Sequence, residues 1–152
     1  MDIEIGPDHD VWKLDINYNL KKMLADGSGW EAAFATNVAR FSIGVEITPT
    51  NDYVNVPWYI KNTDNKIYRQ LTPGTETPVD STTTAADISI GPEGTVYILS
   101  MATELPDYGG YAVQKLVDGE FVDLPDSPKN LKRIQVGLFG FPWVLDTSGN
   151  IS

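Results

Sequence analysis

The sequence predicts an all-β repeat protein, a β-propeller of about four antiparallel four-stranded blades with the last blade incomplete. Three observations carry this. A strand-like phrase occurs four times, as Ile3-Glu4-Ile5-Gly6, Phe41-Ser42-Ile43-Gly44, Ile88-Ser89-Ile90-Gly91 and Ile134-Gln135-Val136-Gly137. Its glycines lie 38, 47 and 46 residues apart (44−6, 91−44, 137−91), a period that signals propellers and related arrays. An aromatic residue follows each phrase, six residues after the glycine at Trp12, Tyr97 and Trp143 and fourteen after it at Trp58 (58−44).

Each phrase alternates with period two, as a half-buried strand does, and its glycine reads as the residue that ends the strand in a turn. Pro7-Asp8 and Pro92-Glu93-Gly94 are turn chemistry. A second strand, rich in aromatic and β-branched residues, carries the aromatic. The second turns are Asp15–Asn19, Lys61–Asn65 and Asp146–Asn150, and third strands follow at Leu20–Leu24 and Lys66–Leu71. Fourth strands are expected at Trp30–Ala35 and Glu120–Leu124, whereas the Thr/Pro/Ser-rich stretch Thr72–Ala85 shows no strand pattern. Residues 1–152 thus form a single repeat domain with blades near 1–40, 41–86, 87–132 and 133–152. The fourth stops after its third strand. A bare sheet edge invites pairing, so a homo-oligomer that completes the open blade is expected, with two copies in an eight-bladed ring as one form.

Composition narrows the function. Twenty-one acidic residues against eleven basic ones give a net charge of −10, a field that repels nucleic acid and acidic headgroups. No apolar run approaches the roughly eighteen residues of a membrane-spanning helix, so no membrane insertion is expected. Met1-Asp2-Ile3-Glu4 has the wrong charge for a signal peptide, which points to cytoplasmic synthesis and to export, if any, by a non-classical route. The chain has no cysteine and one histidine, His9, so disulfides, thiolate zinc sites and cysteine nucleophiles are excluded.

The recurring Ile-x-Ile-Gly…Val-Trp-x-Leu-Asp…Gly-Asn-Ile string resembles the tectonin-type β-propeller repeat. The match is clearest in the fourth copy (Val136-Gly137, Pro142-Trp143-Val144-Leu145-Asp146, Gly149-Asn150-Ile151) and in the third (Ile90-Gly91 to Val96-Tyr97). Gly29-Trp30 resembles the Gly-Trp that opens the family's outer strand. The resemblance implies a lectin-like protein that binds glycans or lipopolysaccharide. It falters at the expanded segment Val45–Val56 and at Met101–Gly110.

The repeated aromatics fit two roles, packing one blade on the next or presenting sugar-stacking faces. The two expansions are the candidate binding elements, because loops on a rigid scaffold commonly carry recognition groups. The first, Thr48–Asn55, holds Asn51, Asp52 and Tyr53 with Asn55 beside them, and the second, Glu104–Tyr111, holds Asp107, Tyr108 and Tyr111. An aromatic face beside carboxylates and amides suits the vicinal hydroxyls of a sugar. Because hairpin turns alternate between the two ends of a propeller, the two expansions need not share a site. Asp15-x-Asn17-x-Asn19 and Asp146-x-Ser148-x-Asn150 have the spacing that opens a calcium loop but lack its closing glutamate, so they read as turns. No acid pair is singled out for glycoside hydrolysis. The expectation is a non-enzymatic carbohydrate-binding propeller with several weak sites, without cofactor or metal. The alternative is a scaffold that docks a basic protein partner.

Overall fold

A computed structural model describes residues 1–48, 50–105, 110–125 and 128–152. The protein is all-β, and its sheets are antiparallel. The first repeat forms β1 (Asp2–Ile5), β2 (Val11–Leu14) and β3 (Leu20–Lys22). The second forms β4 (Val38–Ile47), β5 (Tyr53–Lys61), β6 (Ile67–Arg69) and β7 (Thr77–Pro78). The third forms β8 (Ala85–Ile90), β9 (Val96–Leu105), β10 (Gly110–Val117) and β11 (Glu120–Asp123). The fourth forms β12 (Leu131–Val136) and β13 (Pro142–Asp146), with Ile151 bridged to Leu145.

Hydrogen bonding groups the strands into three sheets rather than four. They are β1-β2-β3, β4-β5-β6-β7 and a six-stranded sheet β13-β12-β10-β9-β8 with β11 on β10. The third and fourth repeats share a sheet through one pair, Tyr111 with Leu131. The other junctions are made at the same place by single backbone bonds, Val38 N to Tyr18 O and Ala85 N to Asn65 O, both 2.9 Å. The shared sheet is therefore the same repeat junction with slightly more pairing.

Three expected elements take a different form. The segment Val45–Val56 is not a loop: β4 and β5 extend through it, pairing Val45 with Asn55 and Ile47 with Tyr53. The eight extra residues (14−6) enter four to a strand, and that even number keeps every side chain on its original face. Residues 30–35 touch β3 only at isolated bridges, Met23 to Trp30 and Leu20 to Ala35. Between them Phe34 packs edge-on against Trp12, with ring centroids 5.1 Å apart at 84°. The stretch with no strand pattern contributes β7 and a Lys66–Thr84 bridge.

The core consists of three clusters, each between successive repeats. Trp12, Leu14 and Leu20 meet Phe41, Ile43 and Tyr59. Val56, Trp58 and Ile60 meet Ile88, Ile90 and Ile98. Tyr97, Leu99 and Val113 meet Ile134, Val136 and Val144. Trp12, Trp58 and Tyr97 are 2%, 8% and 6% exposed, so at three positions the repeated aromatic packs one repeat on the next. Trp143 is 58% exposed.

Gly6, Gly91 and Gly137 open their turns as expected, their carbonyls accepting from His9, Gly94 and Gly140 N–H at 2.9, 2.9 and 3.0 Å, whereas Gly44 lies within β4. What requires glycine rather than another residue at these positions is packing. None of the four has a positive φ. A Cβ on Gly6, Gly44 or Gly91 would lie 3.0, 3.1 or 2.9 Å from Ile43, Ile90 or Val136, the third residue of the next phrase. The middle residue of each phrase also accepts a hydrogen bond from that third residue's N–H: Glu4 Oε1 from Ile43 (3.0 Å), Ser42 Oγ from Ile90 (3.0 Å) and Ser89 Oγ from Val136 (2.8 Å). Gly91→Ala forces its methyl onto stiff Val136 and is expected to cost about 1–3 kcal/mol. A urea titration checks this, and an unchanged midpoint would contradict it.

One register position before each phrase holds Asp2, Arg40, Asp87 and Arg133, alternating in sign. Asp87 is buried and accepts from Ile134 N (3.0 Å) and Arg133 Nε (3.1 Å), with Arg40 Nε at 3.7 Å. Arg133 Nη2 also reaches Asp2 at 3.5 Å, linking the last repeat to the first.

Candidate functional site

The extended β4–β5 hairpin carries Tyr53, the most exposed aromatic of the predicted set among the described residues. Tyr53, at the head of β5, is 74% exposed. It stands between two clefts of about 330 Å³ each. One runs between the first two repeats and is lined by Asp8, Asp10, Trp12, Lys22, Glu31 and Asn55 beside Tyr53. The other is lined by Pro7, Asp8, Asn55 and Pro92 with Tyr53. The first turns of successive repeats lie at the same end of their hairpins, so extending β4–β5 brings Tyr53 and Asn55 beside the Pro7–Asp10 turn.

Asn55 Nδ2 donates to Asp8 Oδ1, which ties the hairpin to that turn. Asn55 also lies 2.5 Å from where a Cβ on Gly6 would sit, so this contact needs glycine at position 6. Lys22 pairs with Asp10 at the wall of the cleft. Two lining residues hold buried polar atoms that have no partner among the described residues, Trp12 Nε1 and Asn55 Oδ1. One is a donor and the other an acceptor, and a buried polar group is ordinarily hydrogen-bonded. Charge at the site is mainly negative, from Asp8, Asp10 and Glu31 against Lys22.

The other expected site residues are placed differently. Asn51 adopts φ 61° in the β4–β5 turn and donates its N–H to Thr48 O (2.9 Å). Asp52 accepts from Thr50 Oγ1 (2.7 Å), and its N–H donates to Thr48 Oγ1 (3.1 Å), so both residues build the turn that presents Tyr53. Tyr111 is half-buried on β10 and packs against the Tyr97–Leu99–Val113 cluster. Asp107 and Tyr108 lie outside the described residues.

Asp8, Asp10, Trp12, Lys22 and Glu31 are additions to the expected set. Their one sequence signal is that Pro7-Asp8-His9-Asp10 and Thr48–Tyr53 are first turns of adjacent repeats. The calcium-like spacings are closed turns. Asp15 accepts from the N–H groups of Asn17 (2.9 Å) and Asn19 (3.0 Å) and pairs with Lys21 at 3.3 Å. Asp146 accepts from Asn150 N and Nδ2, both at 2.8 Å. Among the described residues no group of three or more His, Cys, Asp or Glu side chains is arranged to hold a metal ion. Nor is any helix among them long and apolar enough to cross a membrane.

One carboxyl group titrates far above its usual range. Burial pushes Glu4 up to about 7, against the opposing hydrogen bonds from Ile43 N and Ser42 Oγ. It sits between strands of neighbouring repeats, where Ser42 and Ser89 do the same structural work uncharged.

No protein-family model matches the chain, and no curated protein matches it.

Proposed function

We propose that the chain is a four-repeat propeller of the tectonin-like kind and a non-enzymatic binder of glycans. The observation that carries this reading is the Tyr53 cleft pair, where an exposed aromatic face adjoins Asp8, Asn55 and two unpartnered buried polar atoms. A pyranose stacks its C–H face on a ring such as Tyr53, and carboxylate and amide groups then hold its hydroxyls. The acidic lining favours neutral sugars over the phosphates of lipopolysaccharide.

A single such site gives weak affinity, about 4 kcal/mol at millimolar Kd. Presentation on an oligomer would raise avidity without new contacts. Glycan binding is tested on an array of neutral glycans and lipopolysaccharides at physiological salt. Tyr53→Ala should weaken binding at least about tenfold, the loss of roughly 1.4 kcal/mol, while the folded signal persists. Retention of full binding by Tyr53→Ala would move the site away from this hairpin.

A second reading has its own observation. Leu138, Phe139 and Phe141, in the β12–β13 turn, stand exposed beside Trp143, an apolar cluster of the sort that marks protein docking. A scaffold function through this patch, with a basic partner suited to the acidic surface, would show binding that free monosaccharide does not displace.

A further inference from the structure

Three interfaces between successive repeats are built alike, and the first and fourth repeats carry the unmatched halves of another. In each interface the third residue of a phrase seats over the glycine of the preceding repeat and gives its N–H to the middle residue of that repeat's phrase. The last repeat offers the receiving half. Gln135, Trp143, Leu145 and Ile151 line an apolar groove of about 140 Å³ beside Gly137. At Gly137 the place taken by Ile43, Ile90 or Val136 elsewhere is covered by the repeat's own Trp143, whose Nε1 lies 3.0 Å from where a Cβ would be. The first repeat offers the inserting half. Ile3 and Ile5 are 64% and 67% exposed, on a strand that forms the edge of its sheet.

We infer that the groove on the last repeat is a docking surface for β1 of the same chain. Ile5 seats over Gly137, the Ile5 N–H bonds to the Gln135 side chain, and Trp143 swings off the glycine to pack as Trp12 and Trp58 do. The occupant is the chain's own first strand because Arg133 already reaches Asp2 at 3.5 Å while holding Asp87 at 3.1 Å. That contact continues the series Asp2, Arg40, Asp87, Arg133 across the seam. In an eight-repeat ring of two copies, the first and last strands of one copy would lie on opposite sides of the ring and Asp2 could not meet Arg133. Tethering also favours the intramolecular partner by effective concentration. This inference rests on the ring reading proposed above, and its test is independent of sugar binding.

The absence of cysteine makes the test clean. Ile5→Cys with Gly137→Cys probes the seam, and Val136→Cys with Gly91→Cys places the same pair in an interface already formed. A disulfide needs Cβ atoms about 3.5–4.5 Å apart, so both pairs should oxidise within a monomer. Free thiols at 5 and 137 beside a closed control would overturn the inference. Covalent dimers through 5 and 137 would also overturn it, assigning the groove to a second copy. Amide exchange on the unaltered protein gives an independent reading. The Ile5 N–H should be protected like those of Ile43, Ile90 and Val136, and exchange at the rate of an open edge would contradict closure.

Discussion

Trp58→Ala is expected to lower the free energy of unfolding by about 3–5 kcal/mol, the range for truncating a buried aromatic. Trp58 lies in the cluster that joins the second and third repeats, among Val56, Ile60, Ile88 and Ile90. Its removal leaves a cavity that the rigid strands on both sides close poorly. Such a cost is a large share of a small domain's stability, which totals about 5–15 kcal/mol. Tyr53→Ala should by contrast change stability by no more than about 0.5 kcal/mol, the scale of a surface substitution. Chemical denaturation of the two variants checks both values. A small loss at Trp58 would mean that the repeats are not held together by their repeated aromatics.

The second large effect is on pH dependence. Burial holds Glu4 protonated to about pH 7, whereas in the unfolded chain it ionises near its ordinary 4.5. Between these values the folded protein binds the extra proton, so the stability that Glu4 contributes is full below about pH 4.5 and is lost as pH rises through 7. At about 1.36 kcal/mol per pKa unit, the fall amounts to about 3 kcal/mol by pH 8. Asp87, also raised by burial, acts in the same direction. Asp80 and Asp146, held below their ordinary values, act at more acid pH and leave this window clear. Glu4→Gln keeps an acceptor for Ile43 N–H, removes the titration and matches Gln135 in the last repeat. The variant should lose most of the slope between pH 5 and 8 and exceed the parent in stability at pH 8. An unaltered slope would place the titrating group elsewhere.

The repeat and its strands were legible because Ile-x-Ile-Gly and the aromatic six residues on are local patterns. The glycine's turn was legible too, at Gly6, Gly91 and Gly137, but its role in packing was not. A glycine that ends a strand and a glycine roofed by Ile90 look the same until the neighbouring repeat is in place. The Val45–Val56 expansion was misread because Thr48–Asp52 is strong turn chemistry, although Val45-Glu46-Ile47 and Tyr53-Val54-Asn55-Val56 can extend the ladder on either side of it. Of the expected binding residues, Tyr53 lines the clefts, and Asn51 and Asp52 shape its turn. Asp8 and Trp12 join it only through adjacency between repeats, which spacing along one chain does not reveal. The alternating Asp2, Arg40, Asp87 and Arg133 are visible in an alignment of the four phrases, but their meeting is a property of the packed strands.

The glycan-binding account is tested most directly by titrating isotopically labelled protein with a panel of neutral monosaccharides and following the side-chain N–H signals. The account predicts saturable movement of the Trp12 indole and Asn55 amide signals at millimolar sugar, with the Trp58 indole unmoved. If no sugar in the panel shifts either signal in the folded protein, the clefts beside Tyr53 are not a glycan site and the account is wrong.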